Sequence, residues 1–109
     1  MSWLTDFLWR LLPWRLRTAE CTHFAAAAFV DAADVTGCEE CLKFGGEWVH
    51  LRRCMICGKV GCCDQSPNTH ATKHYQETGH PIVRSVEPDE SWGWCYLDEI
   101  FNPDVEAVR

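Results

Sequence analysis

The sequence predicts a small α+β domain that cannot stand on its apolar core alone, and three observations lead there. The chain has 109 residues, room for one domain. Four strand-like runs accompany one well-punctuated helix. Eight cysteines and five histidines are spread along the chain, and domains of this size often need covalent or metal staples.

Residues 1–17 (MSWLTDFLWRLLPWRLR) read as a separate amphipathic N-terminal helix, leaving residues 18–109 as the domain. Trp3, Leu4, Phe7, Leu8, Leu11 and Leu12 recur at helical spacing and make one apolar stripe. Ser2 can cap this helix, and Pro13 ends or kinks it. Trp9, Trp14, Arg10, Arg15 and Arg17 suit a peripheral contact with a membrane surface or a partner; packing on the domain or on a second copy is the commoner use of such a stripe. Asp6, Arg10 and Pro13 interrupt the run and no small-residue cleavage site follows, which argues against a secretion signal. The run is also too short to span a bilayer.

Residues 18–37 are rich in alanine, and their composition allows a helix over Phe24–Ala33 as readily as a loop. Glu47–Arg53 reads as a strand, with Trp48, His50 and Arg52 on one face and Val49 and Leu51 on the other. Lys59–Cys63 reads as a second. Ser66 as N-cap and Pro67 at the first helical position predict a helix over 67–78, stopped by Gly79. That helix puts His70 and His74 four apart on one face. Ile82–Val86 and Trp92–Leu97 read as two more strands, separated by a turn at Pro88-Asp89-Glu90.

The formal charge is −6, from 16 acids and 10 bases. Residues 85–109 hold Glu87, Asp89, Glu90, Asp98, Glu99, Asp104 and Glu106 against Arg109 alone. Phosphate-backbone binding needs a basic surface, so no nucleic-acid partner is expected.

The cysteines fit either disulfides or thiolate metal ligands, and their spacing favours the second. Cys38–Cys41 and Cys54–Cys57 are C-x-x-C pairs, which on a tight turn aim two sulfurs at one zinc ion. One such pair is ambiguous between redox and metal roles. Two pairs followed by Cys62, His70, His74 and His80 are far more specific, because redox dithiols need no ordered histidines downstream. A closed zinc site takes four ligands, so these groups must serve more than one ion; spacing leaves open how they are shared. Cys21-x-His23 and Cys95-x-x-Asp98 remain, and zinc accepts an aspartate oxygen. A third site from Cys21, His23, Cys95 and Asp98 would tie the start of the domain to its end, closing a long loop. Three zinc ions are therefore expected, with two as the alternative if Asp98 is an ordinary surface acid. Cys63 and His50 are left over, Cys63 as a small buried apolar residue.

These features together resemble the UBP-type zinc finger, found in ubiquitin-specific proteases and a histone deacetylase. The matching residues are Cys38–Cys41, Trp48-Val49, Cys54–Cys57, Cys62, His70-x3-His74, Gly79-His80-Pro81 and Trp94-Cys95-Tyr96, within roughly residues 20–100. Gly61–Asp64 and Trp92–Tyr96 also resemble small free-standing bacterial members. The resemblance implies a zinc-stabilised, twisted antiparallel sheet beside one or two helices. It implies an interleaved pairing: Cys38, Cys41, Cys62 and His70 at one ion, and Cys54, Cys57, His74 and His80 at another. It further implies a pocket for the C-terminal Gly-Gly of ubiquitin, with Trp48, Trp94 and Tyr96 at the aromatic positions. Where the ubiquitin-binding members carry an arginine, this chain has Asp64, which repels an incoming carboxylate. Arg52 or Arg53 is the available replacement.

The expected function is a zinc-scaffolded module that binds a peptide segment or protein tail, without enzymatic activity, in the reducing cytoplasm or at the periphery of a membrane. A thiolate protein that releases metal on oxidation is the alternative. A zinc hydrolase is a weaker one, since it would need an open coordination position and a base such as Glu99.

Overall fold

Two small apolar clusters, each built around cysteines, organise the fold; the computed structural model describes residues 21–107. The expected helix over residues 1–17 lies outside the described residues. Among those described, no helix is long and apolar enough to cross a membrane. All eight cysteines are free.

The chain opens with a short 3-10 turn at His23–Ala26, then an α-helix α1 at Glu39–Phe44. Strands β1 (Leu51–Cys54) and β2 (Val60–Cys62) follow, then helix α2 (His70–Thr78) and strands β3 (Ile82–Ser85), β4 (Gly93–Cys95) and β5 (Ile100–Asn102). The five strands form one sheet in the order β2-β1-β3-β4-β5, every neighbouring pair antiparallel. This is the small α+β fold expected.

Several boundaries differ from the sequence reading. The first strand begins at Leu51 rather than Glu47, because Val49 gives its N–H to Ser66 Oγ (2.9 Å) instead of to a neighbouring strand. That bond also takes the hydroxyl expected to cap α2. The helix starts at His70 rather than residue 67, behind a left-handed Thr69 (φ 45°) with no side-chain cap. Its stop is as expected: Gly79 adopts φ 78° and its N–H bonds Tyr75 O at 2.7 Å. The alanine-rich stretch keeps a single 3-10 turn, and α1 and β5 carry no strong sequence signal.

Register and the two-residue period of strands place Arg52, Gly61, Val83 and Trp94 on one face of the sheet. Helix α2 packs on that face directly over Gly61: a Cβ there would lie 2.7 Å from the Ala71 nitrogen. The opposite face carries Arg53 and Arg84. Arg84 is almost fully buried and donates to the carbonyls of Val30, Glu90 (2.9 Å) and Ser85 (2.6 Å). Arg53 donates to Ala33 O (2.6 Å) and lies over the Phe29 ring. The two arginines thereby hold the strandless segment 27–33 against the sheet by satisfying its carbonyls. Phe24, Met55, Ile82, Cys95 and Val105 form one apolar cluster; Cys38, Cys41, Leu51, Val60 and Cys62 form the other.

Candidate metal centres and the adjoining cavity

Three quartets of donors stand among the described residues, each with its ligand atoms within 4.8 Å of one another. The first joins Cys38 and Cys41 of the α1 start, Cys62 of β2 and His70 of α2. The second joins Cys54 and Cys57, on the turn between β1 and β2, with His74 of α2 and His80 just after it. The third joins Cys21 and His23 of the N-terminal segment to Cys95 of β4 and Asp98 of the β4–β5 turn.

The spacings suit tetrahedral zinc. With Zn–S near 2.3 Å and Zn–N near 2.0–2.1 Å, the edges of the ligand tetrahedron are about 3.5–3.8 Å. In the first quartet Cys41 and Cys62 sulfurs are 3.9 Å apart, and His70 Nδ1 lies 3.2, 3.3 and 3.6 Å from the sulfurs of Cys38, Cys41 and Cys62. In the second, Cys54 Sγ to His80 Nδ1 is 3.6 Å and Cys57 Sγ to His74 Nε2 is 3.3 Å. In the third, His23 Nδ1 lies 3.8 Å from Cys21 Sγ, 3.5 Å from Cys95 Sγ and 2.8 Å from Asp98 Oδ2. Further polar groups orient the sulfurs: the His70 N–H points to Cys62 (3.2 Å), the Asn68 amide to Cys41 (3.7 Å) and the Asp98 N–H to Cys95 (3.4 Å).

The electrostatics also ask for a cation. Burial, reinforced by the neighbouring Asp98, pushes the Cys21 thiol up to about 12; burial and the adjacent Cys38 do the same to Cys41. Burial raises Cys54 as well. Thiolates crowded this way need a divalent ion to be the stable form. Burial and the nearby His80 lower His74, favouring the neutral imidazole that ligates metal. At Asp98 burial raises the carboxyl, but hydrogen bonds from Cys21 and His23 outweigh it and leave it below its ordinary value.

A cavity of about 350 Å³ opens on the sheet face that carries Arg52, Val83 and Trp94, beside the segment that follows β2. Arg52, Cys63, Asp64, Gln65, Val83, Trp92, Trp94 and Tyr96 line it. Of the residues at the aromatic and Asp64 positions of the resemblance, Asp64, Trp94 and Tyr96 line this cavity and Trp48 does not. The Trp48 ring lies against Gly37 and packs on the cluster that holds Cys38, Cys41 and Cys62 with Leu51 and Val60. Trp92, which the sequence places in a strand and in the Trp92–Tyr96 stretch of the resemblance, completes the lining. Arg52 faces the cavity with its guanidinium 4.5 Å from the Trp92 ring, whereas Arg53 points to the other side. Tyr96 stacks on Tyr75 of α2 at 4.7 Å, and its hydroxyl lies 3.3 Å from Thr72 Oγ1. Thr72 Oγ1 donates to Asp64 Oδ1 at 2.5 Å.

Cys63 and His50 lie outside all three quartets. Cys63 is buried 3.4 Å from Ser66 Oγ; burial raises its thiol, but that hydroxyl, nearby backbone groups and the Arg52 charge outweigh it and bring it below the ordinary value. His50 is largely exposed, 4.0 Å from Glu87.

A five-stranded sheet crossed by Cys/His quartets of tetrahedral spacing defines a zinc-binding module. The chain belongs to the UBP-type zinc fingers: residues 38–106 match the family described as the zinc finger in ubiquitin hydrolases and other proteins. A protein from Rhodopseudomonas palustris, solved by solution NMR, is 52% identical, with a TM-score of 0.69 over 79% of this chain and 83% of that one. An NAD-dependent deacetylase, sir2A, of Dictyostelium discoideum is 39% identical over 67 residues, which are 62% of this chain. Ubiquitin carboxyl-terminal hydrolase 14 of Schizosaccharomyces pombe is 26% identical over 113 residues, covering 90% of this chain. The match spans only 12% and 14% of those two relatives' lengths.

Proposed function

We propose that this chain is a non-catalytic recognition module, scaffolded by three zinc ions, whose cavity takes the free C-terminal end of a protein. The observation that carries this reading is Arg52: a guanidinium facing an aromatic-lined cavity that, among the described residues, is in no ion pair, although it lies near enough to Glu90 to help lower that carboxyl. Guanidinium and carboxylate pair bidentately, and stacking on Trp92 holds the planar group in place for that. Trp94 and Tyr96 offer flat apolar walls to an extended backbone. Each quartet supplies four protein donors, so no coordination position is left for a reacting water, which supports binding over hydrolysis. Zinc-bound thiolates imply a reducing compartment, in line with a cytoplasmic protein.

The test is a tryptophan-fluorescence titration with short peptides that differ only in carrying a free or an amidated C-terminus. Free carboxylates are expected to bind and amides to lose at least about tenfold, with Arg52→Gln removing the difference. Equal binding of both forms would rule out the tail reading.

A further inference from the structure

We infer that Asp64 makes the cavity selective for protein tails with a lysine or arginine side chain close to the free carboxylate, over tails whose last few residues are uncharged or acidic. The inference rests on the tail reading above and adds a second charge to it.

Arg52 and Asp64 line the same cavity, yet they form no ion pair with each other. The ion pairs among the described residues join other groups: His23–Asp98, Lys43 and Lys59 with Glu40, His50–Glu87, Arg53–Asp31 and Arg84–Glu106. Arg52 spends its polar contacts on its own strand, donating Nη1 to Leu51 O at 2.9 Å, and its face on Trp92. Asp64 accepts only a neutral hydroxyl, from Thr72. Arg52 lies near enough to Glu90 to help lower its carboxyl, but neither Arg52 nor Asp64 is in an ion pair among the described residues, so two opposite charges stand in one cavity without pairing.

A ligand that neutralises both must carry an anion and a cation a short distance apart. A chain end meets that requirement when a basic residue lies within its last few positions. Its carboxylate goes to Arg52, its backbone passes Trp94 and Tyr96, and its ammonium or guanidinium reaches Asp64. The Trp92 face is already covered by Arg52, so the incoming cation is directed to the carboxylate rather than to that ring. A glycine tail would leave Asp64 unpaired beside the newly bound carboxylate, and an acidic side chain would meet direct repulsion.

The experiment uses the zinc-loaded chain and a set of free-carboxylate peptides identical except for Lys, Gln, Gly or Glu at the penultimate or antepenultimate position. The Lys peptide is expected to bind about fivefold tighter than Gln at low salt, the Glu peptide to bind weakest, and the spread to shrink with added salt. Asp64→Asn should equalise Lys and Gln while leaving the free-against-amidated difference intact, and Asp64→Lys should favour the Glu peptide. Zinc content by native mass spectrometry verifies that both variants are folded. Equal affinity for Lys and Gln peptides, with amidation still abolishing binding, would overturn the selectivity while sparing the tail reading. Failure of every peptide would overturn both.

Discussion

His23 Nδ1 and Asp98 Oδ2 meet at 2.8 Å although 75 residues separate them in sequence. That contact closes the third quartet and ties the first described residues to the β4–β5 turn. At hydrogen-bond distance it is shorter than the N–O edge of about 3.4 Å in a zinc tetrahedron. The carboxylate is thus already in place for an ion that needs only a small parting of the two groups.

Replacing Asp98 should accordingly cost one metal ion and little else. Native mass spectrometry is expected to count three zincs in the unaltered chain, two in Asp98→Ala and three again in Asp98→Cys. Two zincs in the unaltered chain would remove the third site. Three in Asp98→Ala would show that Asp98 is not a ligand.

The quartets should also empty in a defined order under a graded chelator. In the first quartet three of four residues are fully buried, whereas the second exposes Cys57 and the third leaves His23 and Asp98 about one-third exposed. Ligand exchange needs access to the ion, so the first quartet is expected to lose zinc last. Cysteine alkylation mapped by mass spectrometry during chelation would follow this, with Cys57 and Cys21 modified before Cys38 and Cys62. Early labelling of Cys38 would contradict it.

Gly61→Ala probes the seat of α2 on β2. The new methyl would lie 2.7 Å from backbone nitrogen and 2.9 Å from the Ala71 Cα, atoms that cannot swing aside. Lifting the helix moves His70 away from its three sulfurs. The variant should lose about 1–3 kcal/mol of stability, read by denaturant unfolding at saturating zinc, and bind the first-quartet ion more weakly. An unchanged unfolding midpoint would show that the helix has room to shift.

Much of this was legible from particular residues. Gly79 ends α2 because a left-handed residue must stand there, and glycine says so without context. The two C-x-x-C pairs mark metal donors because Cys62 and three ordered histidines follow them, which redox dithiols do not need. Ser66 misled, since its hydroxyl was equally able to cap a helix or to hold Val49, and only tertiary packing chose the second. Trp48 stays open in the sequence for a related reason: an aromatic residue near metal-ligand candidates suits a pocket wall or a cover over cysteines equally well, and it is packing that places it against the cluster of Cys38, Cys41 and Cys62. Helix α1 carries no readable signal because six residues that begin inside the Cys38–Cys41 pair and stop at Gly45 show too little periodicity. The orientation of Arg52 depends on strand register, which a single sequence does not display.

Helix α2 contributes His70 to one quartet and His74 to another. A rigid rod that serves two sites makes their occupancies thermodynamically linked. Whatever free energy the first ion spends on positioning α2 is a cost the second no longer meets, and reciprocity makes the favour mutual whichever site fills first. At equilibrium the pair is therefore expected to fill cooperatively, each ion raising the other's affinity, while the order in which a chelator strips the two remains set by their exposure.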